Sequence, residues 1–311
     1  MSIARELLLW ASRSRALAGA LRQRAFVARA VARFMPGEEL SAALAAARRF
    51  APLGIGAVLT KLGENVATGA EAEVVRDHYL DVLGQIADER LPAHVSVKLT
   101  QLGLDVDREL CEHALRALAE RATALGGFLW VDMEDSRYTD VTLDLFRRVR
   151  AGSPSVGVCL QAYLRRTPGD LDALLSRRSP TPPAIRLVKG AYAEPPAAAF
   201  PRKRDVDAAY FTLAVRLLER AAQGAARPVF GTHDMRLVER IRASARALRV
   251  PSGGYELHLL YGIREDDQRS LAAAGDRVRV LVSYGSAWFA WYMRRLAERP
   301  ANVWFVVRNL I

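Results

Sequence analysis

Two cysteines in 311 residues, Cys111 and Cys159, are too few for a disulfide framework and point to a reducing compartment. Long apolar runs are missing as well. No stretch of about 18 uncharged apolar residues occurs, so a membrane-spanning helix is not expected. Histidine is scarce, with five residues and no HExxH or comparable ligand spacing, so no metal centre is expected. Only His233 falls at the end of a candidate strand; His78, His94, His113 and His258 read as structural. There is no GxSxG elbow, and neither Ser283 nor Ser286 has an evident triad partner. Gly54-Ile55-Gly56 lacks the third glycine and the downstream acid of a dinucleotide fingerprint. Interdomain linkers, internal repeats and low-complexity tracts are all lacking.

Apolar and basic residues are abundant. With 51% hydrophobic and 25% charged residues, the chain is globular in composition. Lysine and arginine number 45 against 34 acids, a formal net charge of +11. Part of the excess lies in the first 35 residues, where Arg5, Arg13, Arg15, Arg22, Arg24, Arg29 and Arg33 face a single acid, Glu6. Those charges interrupt the first apolar stretch and argue against a secretory signal. The segment reads as a helical arm, packed on the main domain or resting on an acidic membrane surface. A cytoplasmic protein follows, compatible with peripheral contact at the inner face of the membrane. Nucleic acid is not expected as a partner.

Eight short β-rich runs alternate with helical stretches. They are 53–59, 94–99, 128–132, 156–161, 185–189, 228–231, 254–260 and 277–283. Most are apolar throughout, as strands covered on both faces must be. Between them, 71–90, 107–125, 204–223 and 234–248 carry apolar residues at helical spacing. Eight strands each followed by a helix is the count of a TIM barrel. The expected architecture is α/β, a (βα)8 barrel over 51–311 with an N-terminal helical extension over 1–50. Proline-rich 179–183 reads as a lead-in turn, and 195–201 as an extended loop at the barrel mouth.

Chemically capable residues accumulate where the strands end. In chain order they are Glu64, Lys98, Asp132, Gln161, Lys189, Thr232, His233 and Tyr284. In a TIM barrel those ends surround the active-site mouth. Lys98 and Asp132 form an opposed pair there, either a structural ion pair or a holder of a substrate amine. Arg186 to Tyr192 combines two cations expected to point inward, Arg186 and Lys189, with a small-residue turn at Gly190 and Ala191 that admits a ring or phosphate to the backbone. Arg294 and Arg295 on the last helix can clamp a carboxylate or phosphate through bidentate bonds. Alternatively, they are solvated, with Arg294 paired to Glu298. Cys159, inside a strand, reads as a buried core thiol.

Taken in order, SVKL, FLWVDMEDS, VGVCLQAY, IRLVKGAY, PVFGTHD, YELHLLYG and RR-x2-E resemble the proline dehydrogenases, from about residue 35 to the end. The resemblance is to the short monofunctional bacterial type. It implies a distorted (βα)8 barrel that binds FAD and oxidises L-proline to Δ1-pyrroline-5-carboxylate. Hydride passes to flavin N5, and the electrons then go to quinone or oxygen. Arg294 and Arg295 would hold the substrate carboxylate. Lys98 would line the substrate pocket beside Asp132, and Glu64 would close the site by pairing with Arg294. Arg186 would serve near flavin N5 and Gln161 near the pyrimidine end. Met133, the Lys189-Gly190-Ala191 turn and the Thr232-His233 pair would hold the cofactor.

The chain departs from the family pattern at the substrate pocket. Leu281 and Trp291 stand where pocket tyrosines are expected, and Ser283 replaces a proline. A lost phenolic hydrogen bond costs on the order of 1 kcal/mol. A second reading is therefore a flavoenzyme of this fold acting on a different amino acid, as a dehydrogenase or an oxygen-using amine oxygenase. A third is a non-catalytic basic binding protein.

Overall fold

The computed structural model describes residues 31–176 and 180–289. Residues 1–30 of the basic arm, and the segment carrying Trp291, Arg294 and Arg295, lie outside the described residues.

All eight expected strands form: β1 (Gly56–Lys61), β2 (Ala93–Val97), β3 (Leu129–Val131), β4 (Val156–Gln161), β5 (Ala184–Val188), β6 (Arg227–Gly231), β7 (Glu256–Leu260) and β8 (Val278–Tyr284). Helix α1 (Leu40–Phe50) precedes β1. Each later strand is reached through a helix: α2 (Gly69–Asp88), α3 (Arg108–Ala124), α4 (Thr139–Arg150), α5 (Thr167–Leu175), α6 (Lys203–Ala222), α7 (Met235–Ala247) and α8 (Glu265–Ala273). Every strand pairs in parallel with its neighbours, and β1 pairs with both β2 and β8, which closes the barrel.

The alternation of side chains along a strand divides the apolar residues into two layers. Val58, Phe128, Trp130, Ala184 and Val229 fill the barrel interior, with Leu281 packed against them. Leu59, Val95, Val97, Leu129 and Val131 belong to the larger core between strands and helices. Helix α1 adds its alanine-rich face, Ala43, Leu44, Ala46 and Ala47, to that core beside β1 and β8. Strand β1 starts later than its apolar run because Pro52 sits in a 3-10 turn over Ala51–Leu53. That turn closes at Gly54 with φ of 69°, leaving Leu53 exposed.

Helix starts fix the loops at the mouth. Asp107 accepts from the Glu109 and Leu110 amides ahead of α3, and Thr68 accepts from the Glu71 amide ahead of α2. The Glu71 carboxylate in turn accepts from the Ala67 amide. The proline-rich loop over 195–201 lies at the mouth, pinned to the β4–α5 turn. Leu164 bridges Ala199, the Arg165 amide donates to Ala198 O (2.9 Å), and the Phe200 amide donates to Tyr163 O (2.8 Å). No helix among the described residues is long and apolar enough to cross a membrane.

Candidate active site

Inward positions on β2 and β3 recur every second residue, so Ser96 and Lys98 face Trp130 and Asp132 across the upper barrel. The Asp132 amide donates to Val97 O at 2.8 Å, which holds the residue in register beyond the end of β3. Its two carboxylate oxygens have different partners. Oδ1 accepts from Arg186 Nη2 and, at 3.0 Å, from Ser96 Oγ. Oδ2 lies 3.7 Å from Lys98 Nζ. Arg186 Nη2 also donates to Ser96 Oγ at 2.9 Å, and its guanidinium carbon stands 5.0 Å from the Trp130 ring centroid. Burial alone would depress the Arg186 guanidinium; the Asp132 charge and the neighbouring Cys159 sulfur together outweigh it and hold Arg186 above the ordinary arginine value.

The Lys98–Asp132 pair expected from sequence is therefore present, with Arg186 as a third member. Ser96 and Trp130 are additions that the motifs did not single out. Their signal was available, since both lie two residues before a polar strand end. Cys159 is buried, as expected, and its thiol lies against Arg186.

At the end of β4, Gln161 Nε2 donates to Met133 O at 3.2 Å, while the buried Oε1 has no partner. The Lys189-Gly190-Ala191 turn crosses the face of Tyr163. Gly190 has φ of 112°, and a Cβ there would lie 2.2 Å from the Tyr163 ring, so only glycine fits. Of the two cations expected to point inward, only Arg186 does. Lys189, three residues on, projects from the opposite strand face. It is held at the rim by Asp207 (2.5 Å) and Asp234 (3.3 Å). Asp234 also caps α7 by accepting from the Leu237 amide.

Thr232 Oγ1 accepts from the Asp234 amide at 3.1 Å. His233 Nε2 accepts from the Leu260 amide at 2.9 Å, so the neutral ring carries its proton on Nδ1. Glu64 sits in the loop between β1 and α2, near enough to Glu134 for its charge to be felt there. Glu134, a further residue missed by the motif reading, accepts from Thr100 N (3.0 Å) and Thr100 Oγ1 (2.6 Å). Burial pushes its carboxyl up to about 7, against those hydrogen bonds and the Lys98 charge.

Strand β8 supplies the remaining wall. Leu281 packs on the interior cluster, and Ser283 presents a buried hydroxyl without a partner. Tyr284 faces the other way. Its hydroxyl meets His78 Nε2 on α2 at 2.7 Å, outside the barrel, so it does not stand in for the pocket phenol at position 281.

A closed parallel (βα)8 barrel with opposed charges gathered near the C-terminal ends of its strands is the architecture of a barrel enzyme, a class whose active sites lie at the upper mouth. The chain belongs to the proline dehydrogenase family, whose model, "Proline dehydrogenase", matches residues 43–308. That family consists of flavin-dependent oxidoreductases acting on CH–NH bonds and oxidising proline to Δ1-pyrroline-5-carboxylate. Proline dehydrogenase 1 of Bacillus subtilis subsp. natto is 35% identical over 279 residues, 90% of each chain. The proline dehydrogenase of Deinococcus radiodurans is 36% identical over 284 residues, 90% of this chain and 89% of that one. Among solved structures, proline utilization A from Bdellovibrio bacteriovorus, inactivated by N-propargylglycine, shares the fold with a TM-score of 0.81 at 24% identity. The match covers 94% of this chain and 36% of that longer one.

The residues at the mouth fit a flavin. Gln161 Oε1 is a buried acceptor lacking a donor, as the N–H edge of the ring system requires. Gly190 keeps the turn beside Tyr163 free of a side chain.

Proposed function

We propose that this chain is a FAD-dependent dehydrogenase that oxidises L-proline to Δ1-pyrroline-5-carboxylate at the upper mouth of its barrel. The observation that carries this reading is the Lys98–Asp132–Arg186 constellation, with Arg186 buried within β5 and Lys98 and Asp132 half-buried just beyond the C-terminal ends of β2 and β3. Bound there, FAD supplies the hydride acceptor. Gln161, Met133, the Lys189-Gly190-Ala191 turn, Thr232 and His233 would hold it, and Arg186 would supply a fixed positive charge to it. The protein's share of such chemistry is position and field.

Asp132 orients both cations. Through Oδ1 it locks Arg186, and through Oδ2 it steadies Lys98 at the substrate side. By the resemblance to the family, Arg294 and Arg295 would clamp the substrate carboxylate, and Glu64 would close the site by pairing with Arg294. Leu281, and Trp291 by its place in the family pattern, would shape the wall against the ring carbons. Electrons leave to quinone or oxygen, and the basic N-terminal arm favours a quinone met at the inner membrane face.

Leu281 and Ser283 favour a second reading, in which the pocket takes an amino acid other than proline. Anaerobic titration of the purified yellow protein with L-proline separates the two. Bleaching of the visible flavin band is expected. Yellow protein that stays oxidised with L-proline but bleaches with another amine moves the assignment to the second reading. Protein that cannot be loaded with FAD overturns both.

A further inference from the structure

The lower, N-terminal end of the barrel contains a second polar centre that the chemistry at the upper mouth does not use. It is an open basin of about 410 Å3, walled by Arg227, Arg277 and Arg279, with His94, Phe128 and Thr181 among its other lining residues. Glu256, only 1% exposed, lies behind that wall and meets all three arginines. Arg227 Nη2 is 2.7 Å away, Arg279 Nε 2.8 Å and Arg277 Nη2 3.5 Å. Among the described residues, one carboxylate against three guanidiniums leaves two positive charges in excess. The neighbouring acid, Asp276, is turned away to Arg242 (3.2 Å) and Tyr255.

The fold makes room for this concentration of charge. A Cβ at Gly56 would lie 2.4 Å from Arg279 Nη1 and 2.8 Å from Pro92 O. Gly253, with φ of 73°, accepts Arg277 Nη1 on its carbonyl at 3.2 Å. Arg227 is steadied over the Phe128 ring at 4.5 Å. His94 adds a neutral donor. Trp130 Nε1 donates to its Nδ1 at 3.2 Å, so the proton of the neutral ring is on Nε2. Burial, reinforced by Arg279, holds His94 well below its usual value and keeps it neutral. Arg279 is depressed by burial and by its two arginine neighbours. Glu256, which burial would raise, is pulled well below the carboxylate range by His258, Arg279 and Arg227.

We propose that this basin binds a small dianionic phosphate, free or as a monoester. The N–H groups of three guanidiniums left over from Glu256, with a neutral imidazole N–H, suit tetrahedral oxygens, and the residual charge equals that of a dianion. Phe128, Pro154 and Pro182 line the same basin and offer an apolar surface to an organic tail.

The test uses the FAD-loaded protein, so that the cofactor's own phosphate contacts are already occupied. Thermal unfolding is followed against inorganic phosphate, glycerol phosphate and chloride at matched ionic strength. Phosphate should give a saturable rise in Tm of roughly 2–4 °C that chloride does not. In Arg277→Gln the phosphate concentration at half-effect should rise at least about tenfold, the loss expected for one charged hydrogen-bonding partner. Arg277 is half-exposed, which spares the fold, and Arg227→Gln serves as the second variant. Tighter binding of glycerol phosphate than of inorganic phosphate identifies a monoester; equal binding identifies the free anion. A rise reproduced by chloride, or one that both variants retain unchanged, overturns the site and leaves a structural ion cluster.

Discussion

Asp132 is the residue on which the upper mouth depends. It bonds Arg186 and Ser96 through one oxygen and faces Lys98 through the other. Asp132→Ala leaves a buried guanidinium without its counter-charge, which costs about 3 kcal/mol of stability. Misplacement of both cations should lower kcat/KM for L-proline on the order of 100-fold. Chemical denaturation and steady-state kinetics check the two effects separately. Tyr284 is the opposite case. Its hydroxyl bonds His78 outside the barrel, so Tyr284→Phe should cost about 1 kcal/mol in denaturant unfolding while KM for L-proline stays within about twofold. A large KM increase would place the phenol in the pocket after all. Single residues were legible in sequence where polar groups ended apolar strands, as Lys98, Asp132 and Gln161 did. Ser96 and Trp130 lie inside their strands and become visible only when the inward alternation is traced back from Asp132. Lys189 was misplaced for the same reason: a spacing of three on a strand turns a side chain to the other face.

At the scale of elements, the barrel was readable because parallel strands covered on both faces must be almost wholly apolar. The amphipathic helices between them supplied the count. The start of β1 was the poorest boundary, since an apolar run cannot reveal that Pro52 and Gly54 bend its first residues into a turn. Loop geometry was less visible still. Nothing in the local pattern announces that Tyr163 lies across Gly190, or that Asp207 on α6 reaches back to Lys189. The Gly190 turn is a good place to test the loop's role. Gly190→Ala forces a Cβ into the Tyr163 ring at positive φ, a strain of about 1–3 kcal/mol. The expected outcome is weaker FAD retention on gel filtration, with the far-UV spectrum of the barrel unchanged.

For the whole molecule, the two ends of the barrel respond differently to acid and base. Glu134 sits near the upper mouth with its carboxyl pushed from 4.5 up to about 7, so the folded protein holds a proton that the unfolded chain releases. Its contribution is fully present below the unfolded value and is lost as pH rises through about 7. Glu134→Gln, which mimics the protonated form, should remove that downward contribution, so that relative to the parent protein its Tm gains steadily between roughly pH 5 and pH 7. Burial pushes His258 at the lower end down to about 4 against the pull of Glu256, so between there and 6.5 the unfolded chain binds a proton that the folded protein does not, and this residue's contribution to stability rises with pH.

Trp130 has one further consequence. Its indole N–H reaches His94 on the lower side, and its ring stands beneath Arg186 on the upper side. The barrel is thus plugged at mid-height, a vessel with two separate cups rather than a tube. Anything attached to the arginine-rich underside is screened from the catalytic cup by a layer of packed side chains. The enzyme could therefore be mounted on an anionic support by its base, with every upper mouth left facing the solution.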